Sequence, residues 1–239
     1  MLSNLGQILH KPPQLLISVT SVDEAKIALD SGADIIDLKN PHAGALGALP
    51  PNVVLEIAQF VKYYSPQTLT SATIGDVPMH AHLLETEILA MAKTAVDFIK
   101  IGFFEMDDYQ PCINSLQHLT QNGLKLIAVL FAEYTYPEDI VLELKRAGFV
   151  GVMLDTAYKN GRTLLDYHPI DALQFFTQKV RDMGLLLGYA GSLKLQHIVD
   201  LKPLNPTYLG FRGGACESDL RTQQLNAEKI YMLKSTLAI

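Results

Sequence analysis

Gly32-Ala33-Asp34-Ile35-Ile36-Asp37-Leu38-Lys39 carries three structural signals in succession. The glycine is a common helix stop, the β-branched run after it suits a buried strand, and the last positions bring charge onto that strand. Working outward, the same unit recurs along the chain. Strands are expected at 14–19, 34–39, 68–74, 98–102, 125–131, 151–154, 185–189 and 208–212. The helical stretches between and after them run at about 22–32, 51–64, 78–93, 107–121, 137–148, 166–181, 193–200 and 220–237. Eight strand–helix units without a break in composition predict an α/β fold, a single (β/α)8 TIM barrel over residues 1–239, with 1–13 as an N-terminal extension. The first strand ends in Ser18-Val19-Thr20-Ser21 with no glycine-rich turn, which disfavours a doubly wound dinucleotide fold.

Composition supports one packed domain. Of 239 residues, 49% are hydrophobic and 18% charged, enough apolar surface to bury a large core. The net charge of −6 gives no basic field for nucleic acid or an anionic membrane, and any anionic substrate needs local cations. Cys112 and Cys216 form no CxxC and fit a reducing cytoplasm as small apolar fillers. Met1–Pro13 lacks the pattern of a secretory signal, and each long apolar run is interrupted before membrane-spanning length.

In this fold chemistry gathers at the C-terminal ends of the strands. Those ends carry Asp37 and Lys39 on strand two, Lys100 on strand four, Asp155 on strand six with Lys159 just after it, and Arg212 on strand eight. Alternate strands fill a common layer, so Lys39, Lys100, Asp155 and Arg212 are expected to converge. Charges in a barrel interior are costly unless paired or solvated. Two readings follow: buried Asp37–Lys39 and Lys100–Asp155 pairs with no chemistry, or a catalytic cluster. A lysine becomes a nucleophile when desolvation and neighbouring cations lower its pKa from about 10.4. Lys39 is the candidate, with Lys100 and Lys159 as those cations and Asp37 as a proton shuttle. Glycines in Gly188-Tyr189-Ala190-Gly191-Ser192 and Arg212-Gly213-Gly214 occupy the loops where barrels bind phosphate, so Gly191, Ser192, Arg212, Gly213 and Gly214 are candidate phosphate ligands. His42 lies in the Asn40–Gly47 loop, which is either a lid over the site or an ordinary surface loop. His80 and His82 read as solvated rather than metal-binding, and Glu133 and Tyr134 fall at the active rim without a signature.

The stretches Gly32 to Pro41, Gly44-Ala45-Leu46-Gly47, Ala72-Thr73-Ile74-Gly75-Asp76, Asp97 to Gly102 and Leu154 to Gly161 resemble the (5-formylfuran-3-yl)methyl phosphate synthase family of methanofuran biosynthesis, nearly end to end. The extension before Pro13 is longer than the family minimum. The resemblance implies that two glyceraldehyde 3-phosphates become one furan aldehyde phosphate, also called 4-(hydroxymethyl)-2-furancarboxaldehyde phosphate. It places Lys39 at the Schiff-base lysine, Lys100 at the proton acceptor, and Asp37, Asp155 and Lys159 at further active-site positions. The sum of two trioses less one phosphoric acid and two waters balances without electrons, so no redox cofactor and no metal are expected. The expected route is an imine on Lys39, proton removal by Lys100, phosphate elimination, attack on the second triose's aldehyde, and dehydration. A Schiff-base aldolase and a non-catalytic sugar-phosphate-binding barrel are the alternatives. A homo-oligomer is expected.

Overall fold

A computed structural model describes residues 12–238. Eight parallel strands close into a barrel in the order β1 to β8. They are β1 (Gln14–Val19), β2 (Ile35–Leu38), β3 (Leu69–Thr73), β4 (Phe98–Phe103), β5 (Leu126–Phe131), β6 (Gly151–Asp155), β7 (Leu186–Tyr189) and β8 (Tyr208–Phe211). β1 pairs with both β2 and β8, which leaves the sheet without an edge. The helices are α1 (Val22–Asp30), α2 (Pro51–Tyr64), α3 (Ala81–Ala92), α4 (Gln110–Gln121), α5 (Ile140–Arg146), α6 (Leu164–Tyr167), α7 (Ile170–Asp182), α8 (Ile198–Leu201) and α9 (Ala227–Ala238). Residues 1–11 of the expected N-terminal extension lie outside the described residues.

Side-chain alternation divides the apolar residues into two cores. Outward strand residues such as Ile36, Leu38, Ile99 and Leu154 pack under the helices. Inward residues Leu16, Ile35, Phe98, Ile127, Leu186 and Tyr208 fill the barrel floor. Tyr208 fits there because its neighbour on β7 is a glycine: a Cβ on Gly188 would sit 2.2 Å from the ring. One level higher on the same inward face come Asp37, Lys100 and Asp155. Period-two alternation thus delivers the polar layer to the mouth while the floor stays dry.

Three helical expectations are corrected. The stretch 166–181 is two helices: His168 is extended (φ −126, ψ 119) before Pro169, whose ring disfavours helical backbone in the preceding residue. The stretch 193–200 holds only α8 between two 3-10 turns, Leu195–His197 and Lys202–Leu204. The last helix starts at Ala227, not Leu220, because Leu220 itself is extended (φ −100, ψ 117). A bridge between Cys216 and Leu225 closes that segment, and Asn226 Oδ1 caps the helix by accepting from the Lys229 amide at 2.9 Å.

Candidate active site

A cavity of about 300 Å³ opens at the C-terminal ends of the strands. Its charged wall begins with Asp37, only 1% exposed at the side chain. Lys100 Nζ approaches Asp37 Oδ1 at 2.5 Å, while Ser71 and Ser18 hydroxyls donate to the same carboxylate at 2.6 and 3.0 Å. Burial lowers the Lys100 pKa and nearby Lys39 adds to that, against the opposing pull of Asp37. Lys39 follows β2 and extends its ladder by donating its amide to Val19 O. Its ammonium reaches across the barrel to Asp155 Oδ2 at 3.3 Å.

Asp155 serves a second lysine. Lys159 donates to its Oδ1 at 3.0 Å and to Thr156 O at 2.7 Å. Burial works to raise the Asp155 pKa, but Lys159, Lys39 and the Thr156 amide outweigh it and hold the carboxyl below the usual range. Burial pushes the Lys159 pKa down, helped by Lys39 and opposed by Asp155. The pairing therefore differs from the expected one: Asp37 takes Lys100, and Asp155 takes Lys39 and Lys159. Asp37 and Lys39, two residues apart, both line the cavity, but their side chains extend to partners on different strands.

Arg212 is a correction. It lines the cavity, yet its guanidinium grips Glu24 through two contacts of 2.6 and 3.0 Å and donates to Ser18 O, Arg221 O and Gln223 O. Glu24 stands in the first turn of α1, capped by Ser21, so Arg212 reaches the cavity wall already paired with a carboxylate on the neighbouring helix. Arg221, absent from the sequence reading, also occupies the wall. Its Nε donates to Pro41 O at 2.9 Å and its Nη2 to Gly44 O at 2.6 Å. No strand pattern marks it, because it lies in the irregular segment after β8.

The glycine loops meet as expected. Gly191, Ser192, Leu193, Gly213 and Gly214 all border the cavity, with Gly191 and Ser192 successively left-handed (φ 101 and 52). Gly214 packs so tightly on the loop after β7 that a Cβ would lie 2.5 Å from Leu193 O. Among the described residues, the amides of Ser192, Leu193, Gly213 and Gly214 donate to no protein acceptor. Such convergent amides suit an anion. Lys194 adds a cation beside them, 3.6 Å from Asp219.

His42 is a second correction. It is exposed and does not line the cavity; its amide turns back to Asn40 Oδ1 at 2.9 Å. The surrounding loop is fastened, with Asp76 accepting from the Ala45 and Leu46 amides at 2.8 and 2.7 Å and Leu46 buried in the inner core. Glu133, at the rim without a signature, accepts from the Ala157 and Tyr158 amides at 2.8 and 3.0 Å and so shapes the loop that carries Lys159. His80 and His82 are exposed, and among the described residues no three His, Cys, Asp or Glu side chains gather around a metal position. Cys112 and Cys216 are buried thiols, with Cys216 pushed up to about 11 mainly by burial. No helix among the described residues is long and apolar enough to cross a membrane.

Residues 15–234 match the 4-HFC-P synthase family. The chain belongs to that family. A 4-HFC-P synthase relative from Methylorubrum extorquens is 41% identical over 229 residues, 96% of this chain and 93% of its own. The (5-formylfuran-3-yl)methyl phosphate synthases of Archaeoglobus fulgidus and Methanocaldococcus jannaschii are each 33% identical, over 92% of this chain and 97% of theirs. Solved structures share the barrel. Phosphoribosyl anthranilate isomerase from Thermus thermophilus aligns with a TM-score of 0.66 at 16% identity, over 94% of this chain and 98% of that one. 3-Hexulose-6-phosphate synthase aligns at 0.58 and 17%, over 93% and 99%. These likenesses establish the fold alone. The membership of the chain in the 4-HFC-P synthase family makes it one of a group of enzymes acting on a small molecule.

Proposed function

We propose that this protein is a (5-formylfuran-3-yl)methyl phosphate synthase that condenses two triose phosphates through an imine on Lys39, a lyase reaction that releases one phosphate and two waters. The observation that carries this reading is one cavity holding Lys39, Lys100 and Lys159 on two aspartates, bordered by unpartnered glycine-loop amides. Lys39 is the better nucleophile on geometry. Its single carboxylate contact is long, at 3.3 Å, and its side chain is 12% exposed, whereas Lys100 is 2% exposed and held at 2.5 Å.

The carbon skeleton of the product sets the order of bonds. Formyl at ring position 5 and phosphomethyl at position 3 require a branched skeleton. Attack on the second triose's aldehyde, the sequence expectation, gives an unbranched chain and the wrong substitution. The second triose must instead accept at its middle carbon, as the ketone isomer formed through an enediol, one proton passing from the second carbon to the first and one from the second oxygen to the first. The first triose condenses with Lys39, losing water. Lys100, its amine favoured by burial, takes the proton from the carbon next to the imine, and the resulting enamine expels phosphate from the third carbon. That third carbon, now nucleophilic, attacks the ketone. The terminal hydroxyl of the acceptor closes onto the middle carbonyl of the donor. Two waters leave, hydrolysis of the imine returns the water lost at its formation, and no electrons are needed.

The Lys159 ammonium is placed to protonate a leaving or developing oxygen, while Asp155 stays ionised beside it. The glycine-loop amides hold a phosphoryl group, with Lys194 alongside.

The test is incubation with glyceraldehyde 3-phosphate and borohydride, then peptide mass analysis, with the unreduced reaction assayed for the furan and free phosphate. A Lys39 adduct together with both products is expected. An adduct with an aldol product and no furan means an aldolase; binding with neither adduct nor turnover means a binding barrel.

A further inference from the structure

Two triose phosphates bring two phosphoryl groups into one cavity, and like charges at close range oppose each other unless each meets its own cation. The glycine loops after β7 and β8 offer one position. The cations lining the cavity indicate where the second lies. Lys39 and Lys159 are paired with Asp155, Lys100 with Asp37, Lys194 with Asp219 and Arg212 with Glu24. Among the described residues Arg221 alone of this set has no carboxylate partner.

We infer that Arg221 holds the phosphoryl group of the second triose phosphate, the one not joined to Lys39. The inference rests on the synthase reading of the site. Arg221 is partly buried, and Asp155 and Asp76, the carboxylates that favour its charge, lie beyond ion-pair distance, so an anion bound at its free edge would complete it. Its Nε and Nη2 are fixed by the carbonyls of Pro41 and Gly44, while among the described residues Nη1 has no hydrogen-bond partner. Two carbonyl clamps aim the guanidinium and leave one edge for a ligand. Planar donors of this kind suit phosphate oxygens better than an ammonium does. The backbone of Arg221 lies against Gly213, and its side chain extends to the segment after β2, from which Lys39 projects.

The same arginine braces the loop after β2, so loss of activity alone would not separate a ligand contact from a structural one. The discriminating experiment offers a mixture of acceptors. Glyceraldehyde 3-phosphate is supplied with dihydroxyacetone phosphate and unphosphorylated dihydroxyacetone, and the ratio of phosphorylated to unphosphorylated furan is read by mass spectrometry. Borohydride trapping at Lys39 is run in parallel. In Arg221→Ala the trapped single-triose adduct is expected at wild-type yield, while the product ratio falls by roughly tenfold to a hundredfold, the scale of a charge-assisted contact. Arg221→Lys keeps the charge without the planar fork and is expected to give an intermediate ratio. A fall in both rates with the ratio unchanged, in both variants, would make Arg221 a structural clasp and overturn the assignment. A wild-type protein that forms furan without any Lys39 adduct would sink the imine reading, while the ratio would still decide on Arg221. A wild-type protein that makes no furan overturns the synthase reading and the assignment with it.

Discussion

Replacing Glu24 with Ala tests whether Arg212 is a brace or a substrate ligand. Both side chains of the pair are 12% exposed, and the contacts at 2.6 and 3.0 Å form a two-pronged bridge from α1 to the end of β8. The substitution also removes the acceptor for the Thr20 amide at 2.8 Å and its hydroxyl at 2.9 Å. Removing one partner of a buried pair costs about 3–5 kcal/mol, chiefly through the charge left behind. Here the lower end applies, because Arg212 keeps the carbonyls of Ser18, Arg221 and Gln223. At roughly 2–4 °C per kcal/mol for a chain of this size, about 3 kcal/mol lowers the melting temperature by about 6–12 °C. Scanning calorimetry reads that shift, and Glu24→Gln, which keeps part of the hydrogen bonding, is expected to lose about half as much. The companion measurement is stabilisation by inorganic phosphate, which adds about 2.7 kcal/mol at a hundredfold excess over its dissociation constant. Arg212→Met is expected to melt lower while retaining the phosphate increment. A drop below about 2 °C for Glu24→Ala, or an increment lost in Arg212→Met with an unchanged base melting temperature, would refute the bracing role.

Three further outcomes are expected. The Lys100 pKa is lowered mainly by burial, so kcat/KM should rise with pH on a limb below the ordinary lysine value of about 10.4; a limb at that value would show that Lys100 is not the base. The sign for stability follows: the unfolded chain binds more protons at this lysine between its lowered folded pKa and about 10.4, so its contribution rises with pH across that window, read from urea midpoints. Gly188→Ala pushes a methyl to 2.2 Å from the buried Tyr208 ring and should cost about 1–3 kcal/mol or more by overpacking; urea unfolding with an unchanged midpoint would show that the floor yields.

The barrel was legible because its signal is periodic. Each strand is a short apolar run closed by a turn residue, and the charged positions Asp37, Lys100 and Asp155 interrupt that pattern on one inward face. The partners were not legible. Both Asp37 and Asp155 lie within reach of lysines, and which pair forms depends on strand stagger, which composition does not encode. Arg212 stood at the right strand end, but its carboxylate partner Glu24, far away in sequence, was not legible. Arg221 escaped because it falls in a stretch that reads as helix, whereas Leu220 is extended and the helix begins only at Ala227. Ser18, Ser71 and Glu133 carry no periodic mark, and only the fold brings them to Asp37 and to the loop of Lys159.

The fastening of the Asn40–Gly47 segment has a thermodynamic corollary. Asp76 and Arg221 hold its backbone at both flanks, and Leu46 anchors it in the inner core. Its conformational entropy is therefore surrendered once, when the chain folds, and not again at each encounter with substrate. Binding is then expected to draw little on ordering of this stretch of backbone.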